Sequence, residues 1–294
     1  MRIVAGVLLV ALLAAAALAA AYHAAAPRGG GGGLFIVVTF PGLLGDVKAL
    51  TCRGDRVVSL VPPGVDPHDY YLTPRGVALL RSADVIVSLG HTPLENAVHR
   101  LYMEGVLHGV LVEVPAIPGI RLVRNPVTGQ LDLHMPVYDP RNYAVFVEYL
   151  AKVLAGLRPE CRGVYLVKAS RLVEAAEAVY RSAPRLLVRA VADSPATIYA
   201  VEWLGVRVVS LINPGYGLPA TPRTILGAVS GVESGSVGLV VVTWPAESLV
   251  DRWLLELAAG RGLPVLYVYS PAAPGTVLSK IMMVAGEASR LNRG

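Results

Sequence analysis

At 294 residues, with 54% hydrophobic and 16% charged side chains, the chain can bury one large core or two of modest size, which excludes a disordered polypeptide. Its net charge of +5 comes mainly from 22 arginines scattered along the sequence, and without a basic stripe or patch no nucleic-acid partner is expected. Five asparagines and one glutamine complete a bias that suits life at high temperature and that a GC-rich genome also produces.

The first predicted element is a leader. From Ile3 to Ala21 the chain carries no charge, close to the ~20 residues that span a bilayer as a helix. Residues 1–26, with "AAAYHAAAP" at their end, read as a secretory signal peptide or an uncleaved membrane anchor, and His23 belongs to them. Residues 27–33, ending in Gly29 to Gly33, form a flexible tether. No cysteine lies in the first 50 residues, so no lipid-modified cysteine begins a mature chain. The globule is placed outside the cytoplasm, where Cys52 and Cys161 are compatible with a disulfide or with two separate thiols.

From Leu34 onward, β-branched runs alternate with amphipathic stretches, the pattern of helices around parallel sheets. Strands are predicted at "LFIVVTF", "DRVVSLV", "DVIVSL" and "GVLVEV", then at "LLVRAV", "VRVVSLI", "VGLVVVT" and "PVLYVY". Between the two sets lie helices from Pro140 to about Leu157 and from about Gly163 to Ser182, the second with Leu166, Leu172, Val173, Ala176 and Val179 near one face. "VVSLVPPG" with "TPR" recurs as "VVSLINPG" with "TPR", at offsets of 151 residues (Val57, Val208) and 148 (Thr73, Thr221). The fold class is therefore α/β: two similar lobes with parallel sheets flanked by helices, 34–160 and 184–294, joined by a long connecting helix, 161–183.

In such sheets the loops leaving the carboxyl ends of strands carry the binding chemistry. "DPHDYYLTP" puts His68 in one of them, stiffened by Pro62, Pro63, Pro67 and Pro74, with Asp66 or Asp69 placed to orient the ring. An imidazole there is a ligand for Zn²⁺ or Mn²⁺ or a polar residue on an exposed loop. His134, in "LDLHMPVYDP", leaves another strand, and His91, after "VIVSLG", approaches the same rim. His99 and His108 read as surface residues. No phosphate loop, nucleophile elbow, "HExxH" or cysteine pair is present, and Ser194 in "ADSPATIY" has no histidine beside it, so no catalytic residue is assigned.

The stretch "GDRVVSLVPPGVDPHDYYLTPRGVALLRSADVIVSLG" resembles the extracytoplasmic solute-binding proteins of zinc and manganese ABC transporters. The likeness continues through "PLEN", where Glu95 stands on the family's usual glutamate, and "DPRN", and more weakly through "YAVEWLGVRVVSLINPG" and "LAAGRGLPVLYVY". It implies two α/β lobes joined by a rigid helix, with a divalent metal, Zn or Mn, in the cleft between them and an ABC permease as the membrane partner. It implies no enzymatic activity, and the protein is taken as a monomer tethered by its amino-terminal segment or secreted. By resemblance the ligands are His68 and His134, although His134 lies five residues before Asp139 where the family has four. In the second lobe the family's charged ligands align with Ser194 and Ser270, and Asp193 is the substitute beside them. The family's His-rich acidic loop is missing. A member that binds a non-metal solute, a surface interaction module and an enzyme using the same cleft are the alternatives.

Overall fold

The computed structural model describes residues 32–215 and 219–293. The leader and most of the glycine tether lie outside the described residues. Among the described residues no helix is long and apolar enough to cross a membrane.

The first half runs β1 (Phe35–Val38), α1 (Leu44–Leu50), β2 (Arg56–Ser59), α2 (Pro74–Arg81), β3 (Val85–Ser88), α3 (Pro93–Met103) and β4 (Val110–Glu113). Two helices follow, α4 (Pro140–Leu157) and α5 (Arg162–Ser182). The second half runs β5 (Arg189–Ala192), α6 (Ile198–Glu202), β6 (Arg207–Leu211), α7 (Pro222–Glu233), β7 (Leu239–Trp244), α8 (Leu249–Arg261), β8 (Val265–Tyr269) and α9 (Val277–Leu291). All eight strands lie within or next to the predicted runs.

The strands form two wholly parallel sheets, ordered β2-β1-β3-β4 and β6-β5-β7-β8. Alternation along each strand sends its residues to two different cores. Ile36, Val38, Val85 and Val87 face a core shared with α4, α5 and the second sheet, while Val37 and Ile86 face α2 and α3 through Leu80, Leu94 and Val98. In the second sheet Ala190, Ala192 and Val241 face the shared core, and Val191, Val240 and Val242 face α7 and α8. Strands covered on both faces need no polar alternation, hence their unbroken Val/Ile/Leu runs. Burying each such side chain is worth roughly 1.5–3 kcal/mol.

In α4, Tyr143, Phe146, Val147, Leu150, Ala151 and Leu154 repeat at helical spacing and are buried. In α5 the buried face is Tyr165, Ala169 and Ala176, flanked by the half-buried Leu172, Val173 and Val179. Leu166 does not share that face as predicted: with Tyr165 turned inward, its neighbour points outward and is 36% exposed. Cys52 and Cys161 form a disulfide, with Cα atoms 6.1 Å apart, tying the loop before β2 to the turn between α4 and α5. The buried Asp55 reinforces this junction, accepting from the Leu34 and Cys52 amides, Arg158 Nη1 and Tyr165 Oη at 2.7–2.8 Å.

The halves are also joined by polar contacts. The buried Asp46 of α1 accepts from Tyr143 Oη at 2.9 Å and from the Val277 amide, at the start of α9, at 2.8 Å. Burial raises its pKa, and these hydrogen bonds oppose the rise. Tyr138 Oη donates to the Tyr269 carbonyl at 2.9 Å, and Asn125 Nδ2 to the Pro214 carbonyl at 2.7 Å. These contacts hold the carboxyl ends of the two sheets against one another.

Candidate metal centre

Three loops leaving the first sheet supply histidines. After β2, the His68 amide donates to Asp66 Oδ1 at 2.9 Å, and its Nδ1 lies 2.9 Å from the same oxygen. After β4, His134 repeats the device on Asp132 Oδ1, with amide and ring nitrogen at 3.0 and 2.7 Å. An aspartate two residues before the histidine closes an Asx turn and clamps the ring with one oxygen. Nδ1 being engaged by a carboxylate, each ring offers Nε2 as its ligating atom, the usual carboxylate–histidine–metal order. The offset from His134 to Asp139 is spanned by Met135, in left-handed backbone at φ 54°, and a 3-10 turn at Pro136–Tyr138.

The third histidine is His91, between β3 and α3. Thr92 caps α3 in a reciprocal box with Glu95, and Pro93 opens the helix. The buried Glu95 carboxylate gathers the loop around itself, accepting from Thr39 Oγ1 (2.6 Å) and from the amides of Leu89 (2.8 Å), His91 (3.0 Å) and Thr92 (3.1 Å). Its Oε2 lies 3.4 Å from His91 Nδ1. Burial pushes the His91 imidazole down to about 4 against the pull of Glu95, so the ring is neutral at pH 7 and able to ligate. Burial alone would raise Glu95, but His91 and its hydrogen-bond donors outweigh it and hold the carboxyl below its usual range.

These loops bring the rings together, with centroids 5.2 Å apart for His68 and His91, 5.8 Å for His68 and His134, and 4.7 Å for His91 and His134. One ligating atom from each lies within 4.8 Å of the other two. Zinc at about 2.0–2.1 Å from imidazole nitrogen needs donors roughly 3–4 Å apart, so closing around an ion takes a movement of about 1 Å. The donor set fits a borderline divalent ion. An inner cavity of about 60 Å³ is lined by all three rings, Glu95 and Met135. It adjoins a cleft of about 470 Å³ that His68 and His134 also line, together with residues of the second lobe.

Ser194 and Ser270 line that cleft, as do Asn213 and Thr243. Asp193 stands apart from the three histidines: it is buried, and its Oδ2 accepts from the Thr243 amide at 2.9 Å. Burial pushes it up to about 6, the Thr243 hydrogen bond opposing the rise. His99 and His108 are exposed, His99 pairing with Glu113 at 2.9 Å. Sequence reasoning passed over Asp132, whose signal is the spacing shared by Asp66-Pro67-His68 and Asp132-Leu133-His134. It also passed over the phenol of Tyr199 in α6, which donates to the Asp132 carbonyl and so braces the His134 clamp from the second lobe.

Residues 36–277 match the family model described as ZnuA, zinc-uptake complex component A periplasmic. The chain belongs to this family. It is a metal-binding solute-binding component of ABC transport, of a periplasmic, extracytoplasmic family of binding proteins rather than enzymes. No match is found among curated protein sequences. Among solved structures, the fold is similar to the solute-binding protein FpvC of Pseudomonas aeruginosa in complex with Mn²⁺, with a TM-score of 0.72 at 17% identity over 89% of this chain and 100% of that one. It is also similar to the laminin-binding adhesin Lmb of Streptococcus agalactiae, TM-score 0.68 at 18% identity over 89% and 99% of the two chains. A Cd-bound periplasmic metal-binding protein of Candidatus Liberibacter asiaticus matches with TM-score 0.68 at 17% identity over 88% and 99%. At these identities the likeness is one of fold.

Proposed function

We propose that this zinc-uptake family member captures a divalent ion through His68, His91 and His134 and delivers it from the interlobe cleft to an ABC permease. The observation that carries this reading is the convergence of three imidazole donors, from three loops of one sheet, within 4.8 Å. Three nitrogen donors favour zinc over manganese, which prefers carboxylate, carbonyl and water oxygens. Asp66, Glu95 and Asp132 stand behind the three rings and orient them. Residues 34–160 and 184–294 act as the two lobes on either side of the ion, with 161–183 as the connecting helix. The protein works as a monomer outside the cytoplasm, held at the membrane by residues 1–26 or released after their cleavage, an assignment that rests on the uncharged run from Ile3 to Ala21.

Calorimetric titration with Zn²⁺ and Mn²⁺ at neutral pH tests this. Wild type should bind one zinc, and His68→Ala should weaken it more than about a hundredfold, beyond the effect of losing an orienting group. Equal, negligible heat from both proteins would overturn the metal reading. Binding should also weaken as the pH falls, because protons compete with the ion for the imidazole nitrogens.

A further inference from the structure

We infer that the cargo is a metal chelate, a divalent ion on the three histidines accompanied by a small, low-charge chelator of the amino-acid class that fills the cleft beyond it. This rests on the metal reading above and names the form in which the ion is carried.

The argument begins with the count of donors. The three histidines supply three nitrogens, and zinc takes four ligands. Among the described residues, the second lobe lines the cleft with Ser194, Asn213, Thr243 and Ser270 but with no carboxylate or imidazole. Asp193, the nearest carboxylate there in sequence, has Oδ2 on the Thr243 amide and a buried Oδ1 without a partner, and it lines neither the inner cavity nor the cleft. Among the described residues, Glu95 is already engaged by Thr39 and three amides, so the open donor position is one that a molecule entering the cleft can fill.

Size then separates a water from something larger. The cleft in front of the triad measures about 470 Å³, against the ~30 Å³ that one water occupies in the liquid. Its far wall of hydroxyls and an amide suits hydrogen bonding to a polar molecule whose own atoms ligate the ion.

Charge selects the class. Asp66, Glu95 and Asp132 stand 2.9, 3.4 and 2.7 Å behind the rings, so the dication's charge is already answered. A polyanionic chelator would be repelled. An α-amino acid fits, because its amine nitrogen and carboxylate oxygen close a chelate ring, completing a five-coordinate zinc with the three histidines, while adding at most one negative charge.

The experiment compares the zinc-loaded and zinc-free protein in calorimetric titration with L-histidine and with citrate. L-Histidine should bind saturably, one per zinc-loaded protein, should not bind the zinc-free form, and should leave the zinc in place. Citrate should bind at least about tenfold more weakly. Ala272→Trp, a substitution at an exposed cleft residue that does not line the inner cavity of the triad, should weaken L-histidine about tenfold or more while leaving the affinity for zinc alone unchanged. If zinc binds but L-histidine gives no heat or only strips the ion, or if citrate binds as well as L-histidine, the chelate inference fails and the metal reading stands. If zinc itself does not bind, both fail together.

Discussion

The two sheets share one strand order, and their registers identify equivalent positions in the two lobes. Val38 pairs with Val87 as Ala192 pairs with Val241, which places Thr39 opposite Asp193 and Leu89 opposite Thr243. In both lobes a buried carboxylate accepts a hydrogen bond from that last amide, Glu95 from Leu89 and Asp193 from Thr243, at 2.8 and 2.9 Å. The carboxylates arrive by different routes. Glu95 reaches back from the first turn of α3 and draws the His91 loop in with it, whereas Asp193 comes from the end of β5 and gathers no ligating side chain. One backbone need, met from two directions, leaves one lobe with a histidine at the cleft and the other with Ser194.

The lobes also differ in how their far ends are fastened, and this difference predicts the largest effect. The first sheet is tied at its amino end by the Cys52–Cys161 disulfide and the Asp55 cluster, and the described residues give the second sheet no covalent counterpart. With a sequence separation of 109 between the cysteines, the chain-entropy estimate for their bond is about 4–5 kcal/mol. The double variant Cys52→Ala, Cys161→Ala should lose most of that, measured as a lower midpoint in guanidinium. Its zinc affinity should hold, because the histidine loops leave the opposite end of the sheet. A variant that kept its midpoint but lost zinc would break the separation of anchor from site.

Two buried groups, one in each lobe, titrate in opposite senses. His91 is held at about 4, below its ordinary 6.5, so the stability it contributes is present above 6.5 and lost as pH falls toward 4. Asp193 is raised from 3.8 to about 6, so its contribution is present below 3.8 and lost as pH rises through 6. Each shift is worth on the order of 3 kcal/mol. In metal-free protein they nearly cancel between pH 4 and 7. Asp193→Asn should therefore steepen the loss of stability on acidification by about 3 kcal/mol, and His91→Phe should reverse its sign, both read from denaturation midpoints across that range. Parallel profiles for wild type and both variants would remove the contrast.

The sheets and the α4–α5 pair were legible in sequence because β-branched runs and helical spacing act locally. The site was legible in part. His68 and His134 announce themselves in loops rich in Pro and Asp, but His91 gains its place from a carboxylate four residues on that folds the loop back, and of that folding "SLGHTPLEN" shows only the Thr92-to-Glu95 spacing of a capping box, not the reach of Glu95 to Leu89 and Thr39. The disulfide was undecided because the partners lie far apart in sequence and meet only once α5 is docked. The echo "VVSL" held a finer lesson. Val57 and Val208 are equivalent, pairing with Ile36 and Ala190, yet a bulge between Ala190 and Val191 skips Val209 and moves Ser210 and Leu211 on by one place. A repeated word in sequence thus changes register part-way through.

Within the first lobe the two Asx clamps offer a smaller contrast. Asp132 has a fully buried side chain and is braced by Tyr199, whereas the side chain of Asp66 is 56% exposed. Removing an orienting carboxylate from a metal-bound histidine costs about 10- to 100-fold in affinity. Asp132→Asn should fall near the upper end and Asp66→Asn near the lower, by zinc calorimetry, since solvent screens the exposed pair. Equal losses would mean that burial does not set the strength of the clamp.

The smallest effect concerns the paired "TPR" turns. Thr73 and Thr221 each cap the helix that follows, α2 and α7, with proline at the first helical position. Thr73 Oγ1 accepts from the Gly76 amide at 3.1 Å and makes no reciprocal bond, whereas Thr221 and Thr224 close a full box, at 3.2 and 3.0 Å. The third helical residue decides this. Gly76 has no side chain to close a box, and a Cβ there would lie 3.1 Å from a Leu72 methyl and 3.2 Å from a Leu60 methyl, so these would have to give by a few tenths of an ångström. An N-cap threonine is worth about 1 kcal/mol, within a range of about 0.5–2. Thr221→Ala should cost several tenths of a kcal/mol more than Thr73→Ala, because it also leaves Thr224 without its partner. Urea midpoints of the two variants would read the difference, and a larger loss at Thr73 would mean that this cap supports the binding loop as well as the helix.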